Sequence, residues 1–472
     1  MAVYGLDMHG TGCDGFYKSW TGYSAYSVIV LCSRHAGIIG NRSVSDMRIH
    51  VVRPGESVYS IARLYDVPSQ RIISDNELSD PGQLVPGQAL VILEGTRRYT
   101  VRPGDSVFRI ARRYDVSVAE ILEANPDITD PAALQVGQEI NIPPREISFG
   151  EILVNGYAFP GIDRGVLERT LPSLSFLSIF SYEVRPDGSL GDINDEPLIQ
   201  AARAARVAPF MVITNIEEGG SFSSDLASTI LNNEQLQDTL IENVLRVMRQ
   251  KNYYGLDIDF EYLYPRDREN YNNFVRKVAA RIRPLGYSLT TALAPKISGD
   301  QPGLLYEAHD YPVHGALADH VILMTYEWGY TYSPPRAVAP LNEVRRVLNY
   351  AVTVIPRRKI LMGIPNYGYN WTLPFVEGSA ASTISNTAAV ELAKREGAFI
   401  QFDPVAQAPW FRYYDSNGRL HEVWFSDARS IYASLALVNE YRLGGISLWT
   451  IGRYSPQYYL VLNAVFNVRK VL

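Results

Sequence analysis

Tyr253-Tyr254-Gly255-Leu256-Asp257-Ile258-Asp259-Phe260-Glu261-Tyr262 decides how the chain is read. Acids alternate with apolar residues from Leu256 onward. A strand throws alternate side chains to opposite faces, so Asp257, Asp259 and Glu261 share one side and Leu256, Ile258 and Phe260 the other. Three carboxylates so placed repel one another, and at least one is expected to keep its proton near neutral pH. A carboxylic acid held protonated at the end of a buried strand is what a glycosidase needs to protonate a departing sugar oxygen. Clustered carboxylates also suit a hard divalent cation. The apolar face, suited to a barrel strand packed beneath helices, favours the acid, and neither a metal nor a cofactor is expected.

Outward from this strand the chain keeps a βα rhythm from Ile147 on. Apolar runs at Glu151–Phe159, Phe176–Tyr182, Ala208–Ile213, Tyr254–Phe260, Ser288–Ala294, His320–Tyr326, Lys359–Tyr367 and Gly445–Thr450 alternate with helical patterns. Among those patterns are Asn233–Gln250, Arg268–Arg283, Leu341–Ile355 and Asp427–Arg442. The expected fold is α/β, a (β/α)8 TIM barrel over 148–472 with the acidic triplet on its fourth strand. Between strands seven and eight, about 372–426 exceeds one βα unit, and its alternation around Ser416-Asn417-Gly418 predicts a small α+β insertion.

Ahead of the barrel lies an internal repeat. Val51–Val67 aligns without gaps on Thr100–Val116, with twelve of seventeen positions identical. Each copy, 48–94 and 98–144, reads as strand, Pro-Gly turn, helix capped by Ser57 or Ser106, second helix and closing strand, a βααβ order. Pro143-Pro144-Arg145 is expected to stiffen the junction to the barrel. Residues 1–46 are Gly- and Ser-rich without periodicity and are expected to be a poorly ordered extension, with Met47 a candidate start of translation.

The two cysteines, Cys13 and Cys32, both fall in that extension, so no disulfide framework is expected in the folded body. Hydrophobic content of 46%, charged content of 20% and a net charge of -6 describe an ordinary globular chain and give no reason to expect nucleic acid. No run is long enough for a membrane span, Ser27–Cys32 is too short for a clear signal peptide, and a monomer is expected.

In a (β/α)8 barrel the residues that matter sit at the C-terminal ends of the strands. Those ends offer Tyr157; Asp257, Asp259 and Glu261; Met324, Tyr326, Glu327 and Trp328; Asn366 and Tyr367; and Trp449. Carboxylates among aromatics suit a neutral polar sugar. No basic cluster or Gly-rich loop accompanies them to hold phosphate.

The repeats resemble LysM modules, which bind N-acetylglucosamine-containing glycans such as peptidoglycan and chitin. The turn Gly55-Glu56-Ser57-Val58, its counterpart Gly104-Asp105-Ser106-Val107, and the loops Pro81 to Val85 and Pro131 to Val136 resemble that family's sugar groove. Gly255-Leu-Asp-Ile-Asp-Phe-Glu261, Met324-Thr-Tyr326 and Trp449 together resemble family 18 glycoside hydrolases. Two positions depart from that family's pattern. Tyr254 replaces the first Asp of its signature, a change expected to touch only a helical contact, and Glu327 stands where many members have Asp.

Asp259 and Glu261 hang from one strand with Cα atoms about 6 to 7 Å apart, so they cannot easily flank a glycosidic bond from opposite faces. The resemblance implies substrate-assisted catalysis instead, with the sugar's 2-acetamido oxygen as nucleophile. It implies that Glu261 is general acid and then base, and that Asp259 holds the acetamido N–H while sharing a proton with Asp257. Tyr326 would donate to the acetamido oxygen and Trp449 would lie beneath the sugar. Two LysM modules ahead of such a barrel, and Met324–Pro335 in particular, are similar to spore-germination N-acetylglucosaminidases acting on cortex peptidoglycan. That places the chain in the bacterial spore, in the cortex or coat. A chitinase and a non-catalytic glycan-binding lectin are the alternatives.

Overall fold

The computed structural model describes residues 46–114, 116–143, 148–217 and 220–472. The expected extension through residue 45, with Cys13 and Cys32, and the junction at Pro144-Arg145 lie outside the described residues.

In the first module β1 (Asp46–Val51), α1 (Val58–Tyr65), α2 (Ser69–Asn76) and β2 (Ala89–Glu94) form an antiparallel β1–β2 ribbon under two helices. Ser57 and Ser60 close a reciprocal capping box at the start of α1. The second module repeats the plan with β3 (Arg97–Thr100), α3 (Val107–Tyr114), α4 (Val118–Glu123) and β4 (Glu139–Ile142). Gly55 and Gly104 take φ of +83° and +81° in matching turns, a conformation that other residues adopt only at a cost.

The barrel opens with β5 (Glu151–Ala158), α5 (Arg164–Thr170), β6 (Phe176–Glu183), α6 (Glu196–Ala204) and β7 (Ala208–Thr214). It continues through α7 (Ser224–Leu231), α8 (Glu234–Lys251), β8 (Gly255–Asp259), α9 (Arg268–Ile282) and β9 (Ser288–Leu293). Next come α10 (Tyr311–Leu317), β10 (His320–Leu323), α11 (Leu341–Val354) and β11 (Ile360–Pro365). An insertion intervenes: β12 (Gly368–Leu373), β13 (Ser382–Ile384), α12 (Asn386–Arg395), β14 (Gln401–Asp403), β15 (Ala408–Tyr414) and β16 (Leu420–Trp424). After α13 (Ala428–Tyr441), β17 (Gly445–Trp449) pairs in parallel with both β11 and β5 and closes the ring. Helix α14 (Pro456–Val465) and the short β18 (Asn467–Val468) finish the chain.

The insertion's sheet runs β13-β12-β16-β15-β14 and opens at Gly368, directly after β11.

The two faces of β8 meet different surroundings. Leu256, Ile258 and Phe260 join the apolar layer between strands and helices, where Phe260 stacks on Tyr271 and Phe274 of α9. The opposite face looks into the barrel, whose lower interior is filled by Phe176, Phe210 and Leu361. Tyr254 joins that interior plug, its ring centroid 6.4 Å from Phe176 and 5.8 Å from Phe210, rather than touching a helix as expected. This filling explains Gly255: a Cβ there would overlap the Phe210 ring and lie 2.7 Å from the Ser288 carbonyl.

The first module is built into the barrel. Met47, Ala89 and Val91 belong to the same apolar core as the helices, and Val85 is buried in the core of the insertion. The Ile400 N–H donates to Pro86 O (3.0 Å), Arg429 to Gly87 O (3.1 Å) and Gln457 to Ala89 O (2.6 Å).

Candidate active site

Strand β8 carries Asp257 and Asp259 from the barrel interior toward the mouth, and Glu261 follows two residues past its end. Asp257 is fully buried and Asp259 is 4% exposed, while Glu261 is part-buried where the cleft begins. Tyr157 of β5 donates to Asp257 Oδ2 at 2.5 Å. Asp257 Oδ1 and Asp259 Oδ1 are both buried without a hydrogen-bond partner among the described residues. Buried carboxylate oxygens left alone are costly, and a proton relieves that cost.

The electrostatics run the same way. Burial pushes Asp257 up to about 7, against the pull of the Tyr157 and Ser178 hydroxyls. Burial, then the charges of Glu261 and Asp257, hold Asp259 well above the usual carboxylate range. Burial and the neighbouring Glu327 raise Glu261 to about 7. Near neutral pH the row therefore keeps at least one proton.

Above the acids opens a cleft of about 440 Å³. Its lining includes Tyr157, Asp259, Glu261, Met324, Tyr326, Glu327, Trp328 and Trp449 and, among the described residues, no lysine or arginine. Burial and the surrounding carboxylates hold the Tyr326 phenol well above its ordinary range, so it stays a donor. Trp449 is braced edge-on by Phe180 (4.9 Å) and Tyr157 (5.3 Å). Glu327, at φ +66°, accepts from Tyr367 and Tyr369. Its carboxyl is raised by burial within the cleft wall, although the residue as a whole stays open to solvent.

Three expected residues stand apart from this cleft wall. Asp257 is fully buried, one turn of the pleat before Asp259, and Tyr367 donates to Glu327. Asn366, expected as a substrate contact, is 1% exposed and turned away. Its side chain donates to Thr450 O and Arg453 O and accepts from Asn386, tying β11 to the loop after β17.

In the modules, Val58 and Val107 face the small cores rather than a groove, because each opens an amphipathic helix. Glu56 accepts from the Arg53 N–H and pairs with His50, and Asp105 accepts from the Arg102 N–H and Tyr99. Ser57 and Ser106 cap their helices. Of the eight candidates, Gly55, Ser57 and Gly104 are exposed.

Several lining residues escaped the strand-end list: Phe180, Phe222, Tyr262, Leu305, Tyr306 and Tyr330. Most come from loops with no periodicity to mark them. Two buried residues outside the cleft also bear on it. Asn215, just past β7, accepts from the Glu261 N–H (2.9 Å) and donates to the Glu261 carbonyl (2.9 Å). His309 bridges Phe260 O (2.9 Å) and the Ala294 N–H (2.8 Å), and burial lowers it to about 4, so it stays neutral. Reading the end of the third barrel strand as closely as the others would have found Asn215.

Two outcomes test this geometry. Asn215→Ala leaves both main-chain groups of Glu261 without their partner, so kcat should fall about ten- to hundredfold with KM within about twofold. A change confined to KM would contradict the clamp. Asp257 has a folded pKa above that of an unfolded aspartate, so the wild type loses stability as pH rises from about 4 through about 7. Asp257→Asn escapes that loss and keeps an acceptor for Tyr157. Its advantage in thermal unfolding should be absent near pH 4 and reach on the order of 2–4 kcal/mol at about pH 8. An advantage independent of pH would contradict the assignment.

Known proteins resemble this chain in sequence and fold. Residues 174–453 match glycosyl hydrolases family 18, and residues 50–93 and 99–143 match the LysM domain. The cortical fragment-lytic enzyme of Bacillus anthracis is 40% identical over 442 residues, covering 90% of this chain and 99% of that one. The protein of the same name from Bacillus subtilis is 40% identical over 433 residues, covering 90% and 99%. The crystal structure of the Bacillus megaterium QM B1551 spore cortex-lytic enzyme SleL is 39% identical, with a TM-score of 0.81 over 91% of this chain and 100% of that one. A match across that much of the chain, with the acidic strand at its centre, makes this protein a member of family 18 of the glycosyl hydrolases.

Proposed function

We propose that the chain is a retaining N-acetylglucosaminidase that cleaves β-1,4 bonds after N-acetylglucosamine in spore cortex peptidoglycan during germination, its LysM modules holding the glycan. The observation that carries this reading is that Asp259, the last residue of β8, and Glu261, two residues beyond it, line the cleft from the same strand end. Two acids on one wall cannot work as acid and nucleophile from opposite faces of the sugar. An internal nucleophile removes the need for a second one.

In that scheme Glu261 gives its proton to the glycosidic oxygen as the 2-acetamido carbonyl oxygen attacks the anomeric carbon, breaking the bond to the leaving sugar and forming an oxazolinium ion. Asp259, sharing a proton with Asp257, accepts the acetamido N–H and balances the positive charge, while Tyr326 donates to the acetamido oxygen. Glu261, now ionised, takes a proton from the water that opens the ring, and the starting configuration returns. Glu327 is a poor rival nucleophile because two phenols occupy its oxygens. Cortex as the substrate is supported by the relatives named for cortex, which align through both modules as well as the barrel.

Glu261→Gln should lose on the order of 100-fold or more in turnover while still binding glycan. Wild-type enzyme should cleave acetylated cortex fragments but not the same fragments after N-deacetylation, measured as reducing ends alongside chitin oligomers. Comparable cleavage of deacetylated glycan would overturn the mechanism, and faster cleavage of chitin would overturn the substrate. Glu327→Gln removes a charge that raises Glu261, so Glu261 should ionise at lower pH. The alkaline limb of the kcat/KM profile should then move down by about half to one pH unit. A shift to higher pH would contradict that coupling.

A further inference from the structure

The two modules share a sequence plan, and their surroundings differ. In each, the turn after the first strand and the loop before the last strand leave the ribbon side by side. Val52 and Gly87–Gln88 exchange main-chain hydrogen bonds at 2.8 and 2.9 Å, and Val101 and Gly137–Gln138 do the same. A glycan held between turn and loop needs both sides open.

In the first module the loop side is covered. Val85 is 3% exposed within the insertion's core, Pro86 O accepts from Ile400, and Gly87 O accepts from Arg429. At Gly87 a Cβ would overlap the Ile400 carbonyl. The corresponding stretch of the second module, Gln135-Val136-Gly137, is exposed throughout, and a Cβ on Gly137 would meet nothing within 4 Å. Val136 is 64% exposed on the loop side and Phe108 is 66% exposed beside the turn. Tyr59, the counterpart of Phe108 in the first module, is 66% exposed as well, so the modules differ on the loop side, where Val136 is open and its counterpart Pro86 lies against Ile400. Apolar side chains open at both turn and loop suit the faces of pyranose rings. The sequence follows the packing, since Val85-Pro86 of the first module becomes Gln135-Val136 in the second.

We infer that the modules divide the work: the first is a fixed part of the catalytic body, and the second grips the N-acetylglucosamine polymer through the surface bearing Phe108 and Val136. This rests on the glycan-binding reading above. It also means that removing residues 48–143 as one block would take Ala89 and Val91 away from their apolar partners on the barrel, so such a truncation cannot separate capture from catalysis.

Two measurements on the full-length chain test it. In a Glu261→Gln background, the fraction that sediments with purified peptidoglycan sacculi should fall at least tenfold in affinity for the Phe108→Ala, Val136→Ala double variant. It should change less than twofold for Tyr59→Ala, the counterpart of Phe108 in the first module. Equal losses, or a larger loss from Tyr59→Ala, would overturn the division of labour. Parent protein that fails to sediment at all would instead defeat the glycan-binding reading and this proposal with it. Second, Gly87→Ala should lower the melting midpoint of the barrel by about 3–5 °C, while Gly137→Ala, in the same turn conformation, leaves it in place. If Gly87→Ala produced a separate early transition with the barrel midpoint unmoved, the first module would be an independent appendage and the inference would fail.

Discussion

Three carboxyl groups held in a row along β8 and just past its end, two of them buried, cannot all be ionised together. That constraint organises the rest of the structure. Burying the row requires a closed barrel with a filled floor, which Phe176, Phe210 and Tyr254 provide. Keeping its end usable requires that Glu261 be held at the cleft rather than folded inward. Asn215 grips both main-chain groups of Glu261 from the third barrel strand, and His309 grips the residue before it from behind the fifth. The proton is thus kept by the environment and aimed by the backbone.

Around this centre the aromatic residues divide into two kinds. Tyr157 and Tyr326 present hydroxyls to the acids or to the space above them, and burial keeps both phenols protonated. Trp449 and Phe180 present rings, fixed edge to face. Among the described residues the lining carries acids and no lysine or arginine, a field suited to neutral sugar rings and to the positive charge that develops when a glycosidic bond breaks. The docked first module extends the rigid body, since its ribbon shares the apolar core of the barrel's last helices.

Much of this was legible in the chain. Alternation along β8 placed the acids on one face, and the repeated βα rhythm located all eight barrel strands, because parallel strands buried on both faces read as continuous apolar runs. What stayed hidden has physical reasons. Asn366 sits at a strand end like the lining residues, and its bonds to the loop after β17 and to Asn386 of the insertion turn it away. Val58 and Val107 follow the turn so closely that spacing could not tell groove from core. Tyr262, Tyr306 and Tyr330 reach the cleft from loops, where sequence position carries no direction. That Val85-Pro86 packs against the insertion while Gln135-Val136 is exposed is a difference whose meaning appears only beside Ile400.

The central claim is that the sugar supplies its own nucleophile while one acid serves both steps. Proton NMR of the reducing ends released in the first minutes of cleavage, before mutarotation, tests it most directly. The account predicts that the β-anomer appears first and the α-anomer grows in only as the sugar equilibrates. Initial release of the α-anomer would mean that water attacks directly from the opposite face, and would contradict it.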